Sequence, residues 1–202
     1  MQQRLSDSRR RRTVLAAIGA GAAGLAGCLD GGSDNDSEDD ASPEESDQSF
    51  PDHPVTEPRD PPEGRRCDGP CGMVAAEYPD WNAQVAHADG QGAFFDTPGC
   101  LVAYYQHHTF YDGPAAEIEG VWVRDFETTE LLDATEAYFV LDTDDGRHPE
   151  PMGSNPKPFA DRDDAVAYVE SYQDLTTDDI VGLAEFGPDE AHVYRDYPLD
   201  EA

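Results

Sequence analysis

Lysine is almost missing from this chain: Lys157 stands alone, and 13 basic residues face 44 acidic ones in 202, a formal net charge of −31. A surface of that sign repels a phosphate backbone, which excludes nucleic acid as a partner. Long apolar runs are missing too. The stretch from Val14 to Ala26 covers 13 residues, short of the ~20 that a membrane-spanning helix needs. Between Asp30 and Pro62 aliphatic side chains are nearly absent, which excludes a packed core there. No Ser-His-Asp or metal-hydrolase arrangement is present, so the sequence gives no support to a hydrolytic enzyme. The acidic excess reads as the surface of a halophile, tolerable where molar salt shortens the Debye length to about 3 Å.

What is present begins with a leader. Four arginines, Arg9 to Arg12, precede the short apolar stretch and small residues, the pattern of an exported segment over residues 1–27 with twin-arginine character. Leu25-Ala26-Gly27-Cys28 resembles a lipobox, in which Cys28 takes the lipid after cleavage; an uncleaved signal anchor is the alternative. Both expectations put the following domain on the extracytoplasmic face of the cell membrane. Residues 28–62 are expected to form a disordered acidic linker, a charge-extended stalk that cannot offset its ordering entropy. Residues 63–198 are then left for one domain.

Within that domain Gln84 to Ala88 and Ala93 to Phe95 read as two strands joined through Asp89-Gly90. Thr97-Pro98 reads as a helix start, with Thr97 as cap and Pro98 in the first helical position, and Cys100, Leu101, Tyr104 and His108 follow helical spacing. Gly120 to Phe126 alternates as a third strand. Ala137 to Leu141 and Asp161 to Tyr172 suggest a second strand and helix set, and Ala191 to Tyr194 a last short strand. The expected fold is α+β, two β-β-α-β-like lobes.

The chemistry lies in sulfur. Cys67 and Cys71 flank Asp68-Gly69-Pro70, a turn that brings both thiols together, and Gly72 lets the chain curl so that Met73 can join them. Thiolates and thioethers suit Cu(I), whereas Zn(II) prefers thiolate and imidazole closed to four ligands. An exported Cys67–Cys71 pair could equally close a small disulfide ring. With Cys28 lipidated, three cysteines remain and one cannot pair within the chain. Cys100, in the first turn of the expected helix, is either a favoured thiolate or a small buried hydrophobe. His148 and Met152, in a loop of prolines and glycines, are a further candidate pair of donors. Tyr78 and Trp81 are expected to pack beneath the cysteine loop, and His107 and His108 to form the polar end of the helix.

Cys71-Gly72-Met73, Tyr78, Trp81-Asn82-Ala83-Gln84-Val85, Phe95-Asp96, Gly99-Cys100, Pro151-Met152-Gly153 and Pro158-Phe159-Ala160 together resemble the NosL family of copper-binding lipoproteins over about residues 67–172. The resemblance implies two β-β-α-β lobes similar to the organomercurial lyase, a Cu(I) carrier and not an enzyme, and delivery to a copper-dependent acceptor, nitrous-oxide reductase. It makes Cys67, Cys71, Met73 and Met152 the preferred ligands, with Cys100 and His148 as further candidates. Two positions depart from the family pattern: three residues, not two, separate Cys67 from Cys71, and Ser154 stands where many members have histidine. A thiol-disulfide redox protein using Cys67 and Cys71 is the alternative reading, and cleavage of carbon-metal bonds, argued from fold likeness, a third. Dimers sharing a metal between two loops would suit so few ligands, but nothing in the sequence demands them.

Overall fold

The computed structural model describes residues 49–196. The leader, Cys28, the spacer up to residue 48 and the end of the chain from residue 197 lie outside those residues. No helix among the described residues is long and apolar enough to cross a membrane.

The hairpin foreseen at Asp89-Gly90 joins β1 (Ala83–His87) to β2 (Gly92–Phe95), antiparallel, with Asp89 Oδ1 accepting the Gln91 amide at 3.1 Å. β3 (Ile118–Arg124) pairs with the other edge of β1, and β4 (Leu131–Asp133) with β3, giving the order β2-β1-β3-β4. Helix α1 (Pro98–His107) lies against this sheet. It starts as its sequence requires, with Pro98 in the first turn and the Thr97 hydroxyl accepting the Cys100 amide at 3.4 Å.

Both β1 and β2 are buried along their whole length, and the reason corrects the expected linker boundary. Residues 49–62 are not free spacer; they run across the first sheet. The Gly92 amide donates to Pro51 O at 2.8 Å and the His53 amide to Gly90 O at 2.7 Å. The His53 ring sits 5.3 Å from the Trp122 ring and 5.5 Å from Phe94. Gln84 Oε1 holds the same segment, meeting His53 Nε2 at 2.7 Å and accepting the Arg59 amide at 2.8 Å. Backbone pairing, the His53 ring and Gln84 together anchor this segment despite its acidic composition.

The second lobe repeats the order of the first: β5 (Tyr138–Val140), β6 (Lys157–Phe159), α2 (Arg162–Glu170) and β7 (Ile180–Gly182), with the sheet ordered β6-β5-β7. Pro158 is tolerated because β6 is an edge strand. Val140, Phe159, Ala165, Tyr168 and Val169 form a small core beneath α2. The strand expected at Ala191–Tyr194 is instead helix α3 (Pro188–Tyr194). Pro188 opens it, Glu190 Oε2 accepts the Gly187 amide at 3.0 Å, and Ala191 and Tyr194 are buried as it packs on α1. Phe139, Leu183, Phe186, Ala191 and Tyr194 join Leu101, Tyr104, Val121 and Val123 in one larger core, so the two lobes share it.

One buried side chain of the first lobe ties stability to acidity. His87 is fully buried, with Nδ1 2.9 Å from Ala116 O and Nε2 3.0 Å from the Tyr104 hydroxyl. A carbonyl only accepts, so Nδ1 carries the proton and Nε2 takes the Tyr104 O–H. Burial pulls the His87 pKa below its ordinary value. A lowered folded pKa means stability that is fully present above the unfolded value near 6.5 and lost as the pH falls through the folded one. Chemical denaturation between pH 7 and pH 5 is expected to show stability falling with a slope from this group of at most about 1.4 kcal/mol per pH unit. That slope should vanish from the His87→Gln variant; an unchanged slope would assign it elsewhere.

Candidate metal centre

The loop carrying Cys67 and Cys71 is built against the edge of β2. The Cys67 amide donates to Met73 O at 2.6 Å and the Ala75 amide to Arg65 O at 3.0 Å, so the chain returns on itself. Asp68 fastens it: its amide donates to Phe94 O at 3.0 Å and its Oδ2 accepts the Phe94 amide at 2.9 Å, while Arg65 pairs with the same carboxylate. Gly72 takes the left-handed φ of +65° that closes the turn, as its place after Cys71 suggests. The three residues between the cysteines are therefore no slack.

That loop meets the N-terminus of α1. The sulfurs of Cys67, Cys71 and Cys100 and a carboxylate oxygen of Asp96 all lie within 4.8 Å of one another. The three cysteines are free thiols, Cys67 and Cys100 buried and Cys71 half-buried. Cys71 donates to Asp96 Oδ1 at 2.9 Å, and the Gly69 amide donates to Cys67 Sγ at 3.4 Å. Asp96 is fully buried, and its Oδ2 has no hydrogen-bond partner. Leaving a buried carboxylate oxygen unpartnered costs ~1–3 kcal/mol or more, a cost that a cation held by the sulfurs would offset.

The thiols are not equivalent. The neighbouring Cys67 and Cys71 sulfurs draw the Cys100 thiol well below its ordinary range against the cost of burial, with the Arg195 guanidinium and Thr97 assisting. Burial holds Cys67 well above it, helped by donation to Cys100. Cys71 is raised chiefly by the adjoining Cys100 sulfur, with burial adding to it. Burial and the neighbouring Cys100 charge push Asp96 up. A guanidinium stands behind the cluster: Arg195 Nε lies 3.1 Å from Cys100 Sγ.

Of the other candidates, Met73 sits half-buried on the same loop, its carbonyl bonded to Cys67. Met152 is 46% exposed at a left-handed φ of +63°, and its carbonyl accepts from Arg195 Nη1 at 3.4 Å. The structure does not bring His148 into the thiol cluster. The Tyr168 hydroxyl donates to Asp142 Oδ2 at 2.6 Å, so His148 Nε2 must be the donor in its 3.1 Å contact with Tyr168. The His148 ring rests against Phe126, in a cavity of about 300 Å³ lined also by Trp81, Arg124 and Pro98. Trp81 is there too, 6.4 Å from Phe126. Asp96 and Arg195 are the site residues that sequence reasoning did not name as candidates. The signal for Asp96 was its place in the Phe95-Asp96 motif; for Arg195 there was none.

Three converging thiols and an orphaned carboxylate oxygen, placed where a loop meets a helix N-terminus in a two-lobed α+β domain, form a cluster that could hold a metal ion. The chain belongs to the NosL family, whose model matches residues 60–180. Its fold is similar to that in the crystal structure of the copper chaperone NosL from Shewanella denitrificans, with a TM-score of 0.52 at 18% identity, covering 66% of this chain and 97% of that one. At that identity the likeness is one of fold. No curated protein matches the chain.

Proposed function

We propose that this domain is a Cu(I) carrier, tethered to the extracytoplasmic face of a membrane through a lipid on Cys28, that hands copper to a copper enzyme, nitrous-oxide reductase being the acceptor the family suggests. The observation that carries the reading is the convergence of Cys67, Cys71 and Cys100 within 4.8 Å. Thiolates are the donors that discriminate for Cu(I), which accepts two or three of them. The likeness in fold to a protein described as a copper chaperone supports the same choice.

In this reading Cys100, with Arg195 beside it, anchors the ion, and Cys71 and Cys67 complete the sulfur set. Met73, on the cysteine loop, and Met152, on its exposed loop, supply thioether sulfur. The half-buried Cys71 is the side from which an acceptor's ligand can enter. The wider spacing between Cys67 and Cys71 does not separate their sulfurs, so both serve one ion.

Anaerobic titration of the reduced full chain with Cu(I) against a competing chelator, with Zn(II) in parallel, tests the proposal. One Cu(I) per chain bound more tightly than micromolar, and not displaced by excess Zn(II), is expected. Binding no tighter than micromolar, or ready displacement by Zn(II), would remove it. A Met73→Leu variant with unaltered copper affinity and a reversible Cys67–Cys71 disulfide would point to thiol-disulfide exchange instead.

A further inference from the structure

Arg195 is drawn into this site from far along the chain, beyond the residues that match the family. It is 5% exposed and uses all of its donor nitrogens. Nε reaches Cys100 Sγ at 3.1 Å, and Nη2 reaches Thr97 Oγ1 and Asn155 Oδ1, each at 2.7 Å. Nη1 reaches Ser154 O at 3.2 Å, Met152 O at 3.4 Å and the Tyr194 carbonyl. Only a planar fork with five N–H groups can serve partners on two edges at once; an ammonium group cannot.

The second edge matters because of how the methionine loop is made. Asn155 Nδ2 donates to Pro151 O at 3.0 Å and to Gly153 O at 3.1 Å, so Asn155 and Arg195 between them take the carbonyls of residues 151–154. Met152 and Gly153 are both left-handed, with φ of +63° and +81°. For methionine that conformation costs ~1–3 kcal/mol, and it persists only where the surroundings fix it. The carbonyls are held inside and the Met152 side chain stands 46% exposed. Asn155 also accepts the Gly99 amide at 3.2 Å, which ties the same network to the first turn of α1, beside Cys100.

We propose that Arg195 is the positioning residue that couples the thiol cluster to the methionine loop. One guanidinium holds the Cys100 sulfur on one edge and the Met152 and Ser154 carbonyls on the other, so that the Met152 thioether is presented to a metal held by the thiols. The inference rests on the copper-carrier reading and adds to it a residue through which Met152 acts.

The test is a double-mutant cycle on the reduced full chain, with Cu(I) in a competing chelator as the probe. Met152→Leu is expected to weaken Cu(I) binding about tenfold or more in the wild-type background, and less than about twofold in an Arg195→Gln background. Arg195→Gln alone is expected to cost roughly 10- to 100-fold, as loss of a ligand-supporting partner does. If Arg195→Gln does not unfold cooperatively, Arg195→Lys carries the same cycle, since lysine keeps the charge beside Cys100 but cannot span both edges. Methyl-labelled methionine gives a second reading: the Met152 ε-methyl resonance should move on Cu(I) addition in the wild type and stay still in the variant. A wild type that binds no Cu(I) removes the carrier reading, and this coupling with it. Copper binding in which Met152→Leu costs the same factor with and without Arg195, or in which the wild-type Met152 methyl does not move, removes the coupling alone.

Discussion

Replacing Cys100 by serine is expected to abolish tight Cu(I) binding, with a loss well beyond the roughly 10- to 100-fold that follows removal of a supporting group. Cys100 is the sulfur toward which the site is organised: the Cys67 and Cys71 sulfurs lie within 4.8 Å of it, Arg195 Nε lies 3.1 Å away, and it sits in the first turn of α1. Its pKa is drawn down while burial and the neighbouring sulfurs raise those of Cys67 and Cys71. A serine hydroxyl is a hard donor and does not ionise in this range, so the variant loses both the ligand and the charge. Cys71→Ser and Cys67→Ser are expected to follow with smaller losses. Parallel anaerobic Cu(I) competition on the three variants checks the order, and their thermal unfolding shows that each is folded. A Cys100→Ser variant within about tenfold of wild type, with Cys71→Ser much weaker, would move the anchor to the cysteine loop.

The second large effect is on stability. Lys157→Met is expected to lower unfolding free energy by roughly 3–5 kcal/mol, the usual cost of stranding one member of a buried ion pair. The Lys157 and Glu150 side chains are 1% and 2% exposed, with Nζ 2.7 Å from Oε1, and Nζ donates also to Asn155 O at 2.6 Å. Glu150 Oε2 in turn accepts Asn155 Nδ2 at 3.1 Å. Removing the ammonium leaves a carboxylate in the interior with one amide for company. A Lys157→Met, Glu150→Leu double variant should recover much of the loss, because two apolar side chains carry no desolvation penalty. Since the pair is out of contact with solvent, its contribution should change little with salt, unlike repulsion among the surface acids. Denaturant melts of the single and double variants at low and molar salt measure both; a Lys157→Met cost below about 1 kcal/mol, typical of an exposed pair, would show that water reaches Glu150.

Much of this was legible where local chemistry decides the structure. The Asp89-Gly90 hairpin, the Thr97-Pro98 helix start and the β3 alternation are short-range signals, and each marks an element that formed. Strands β6 and β7 have three residues each, too few to show a period, and β6 holds Lys157 and Pro158. Four residues from Ala191 to Tyr194 cannot distinguish strand from helix; the Gly187-Pro188 opening with Glu190 three residues on was the better signal. In the site, the sulfurs stood out because cysteine and methionine are rare here. Asp96 entered only as part of the Phe95-Asp96 motif and not as a ligand, because one acid among 44 carries no contrast. Arg195 joins Cys100 across 95 positions of sequence, a contact that only the closing of α3 onto α1 creates. In a chain so poor in bases, Arg65, Lys157 and Arg195 are all buried, and each is paired with a group that tethers a loop.

The left-handed backbone at Met152 decides which replacements there can be interpreted. Leucine keeps an unbranched Cβ and roughly the same bulk, so it carries the same backbone cost as methionine and removes the sulfur alone. Valine or isoleucine would add the steric penalty of a branched Cβ at φ +63° and could collapse the loop, mimicking the loss of a ligand. Glycine would relieve the backbone while deleting the side chain, raising stability as it lowers affinity. A comparison of leucine with glycine at this one position therefore separates the cost of shaping the loop from the value of the sulfur it displays.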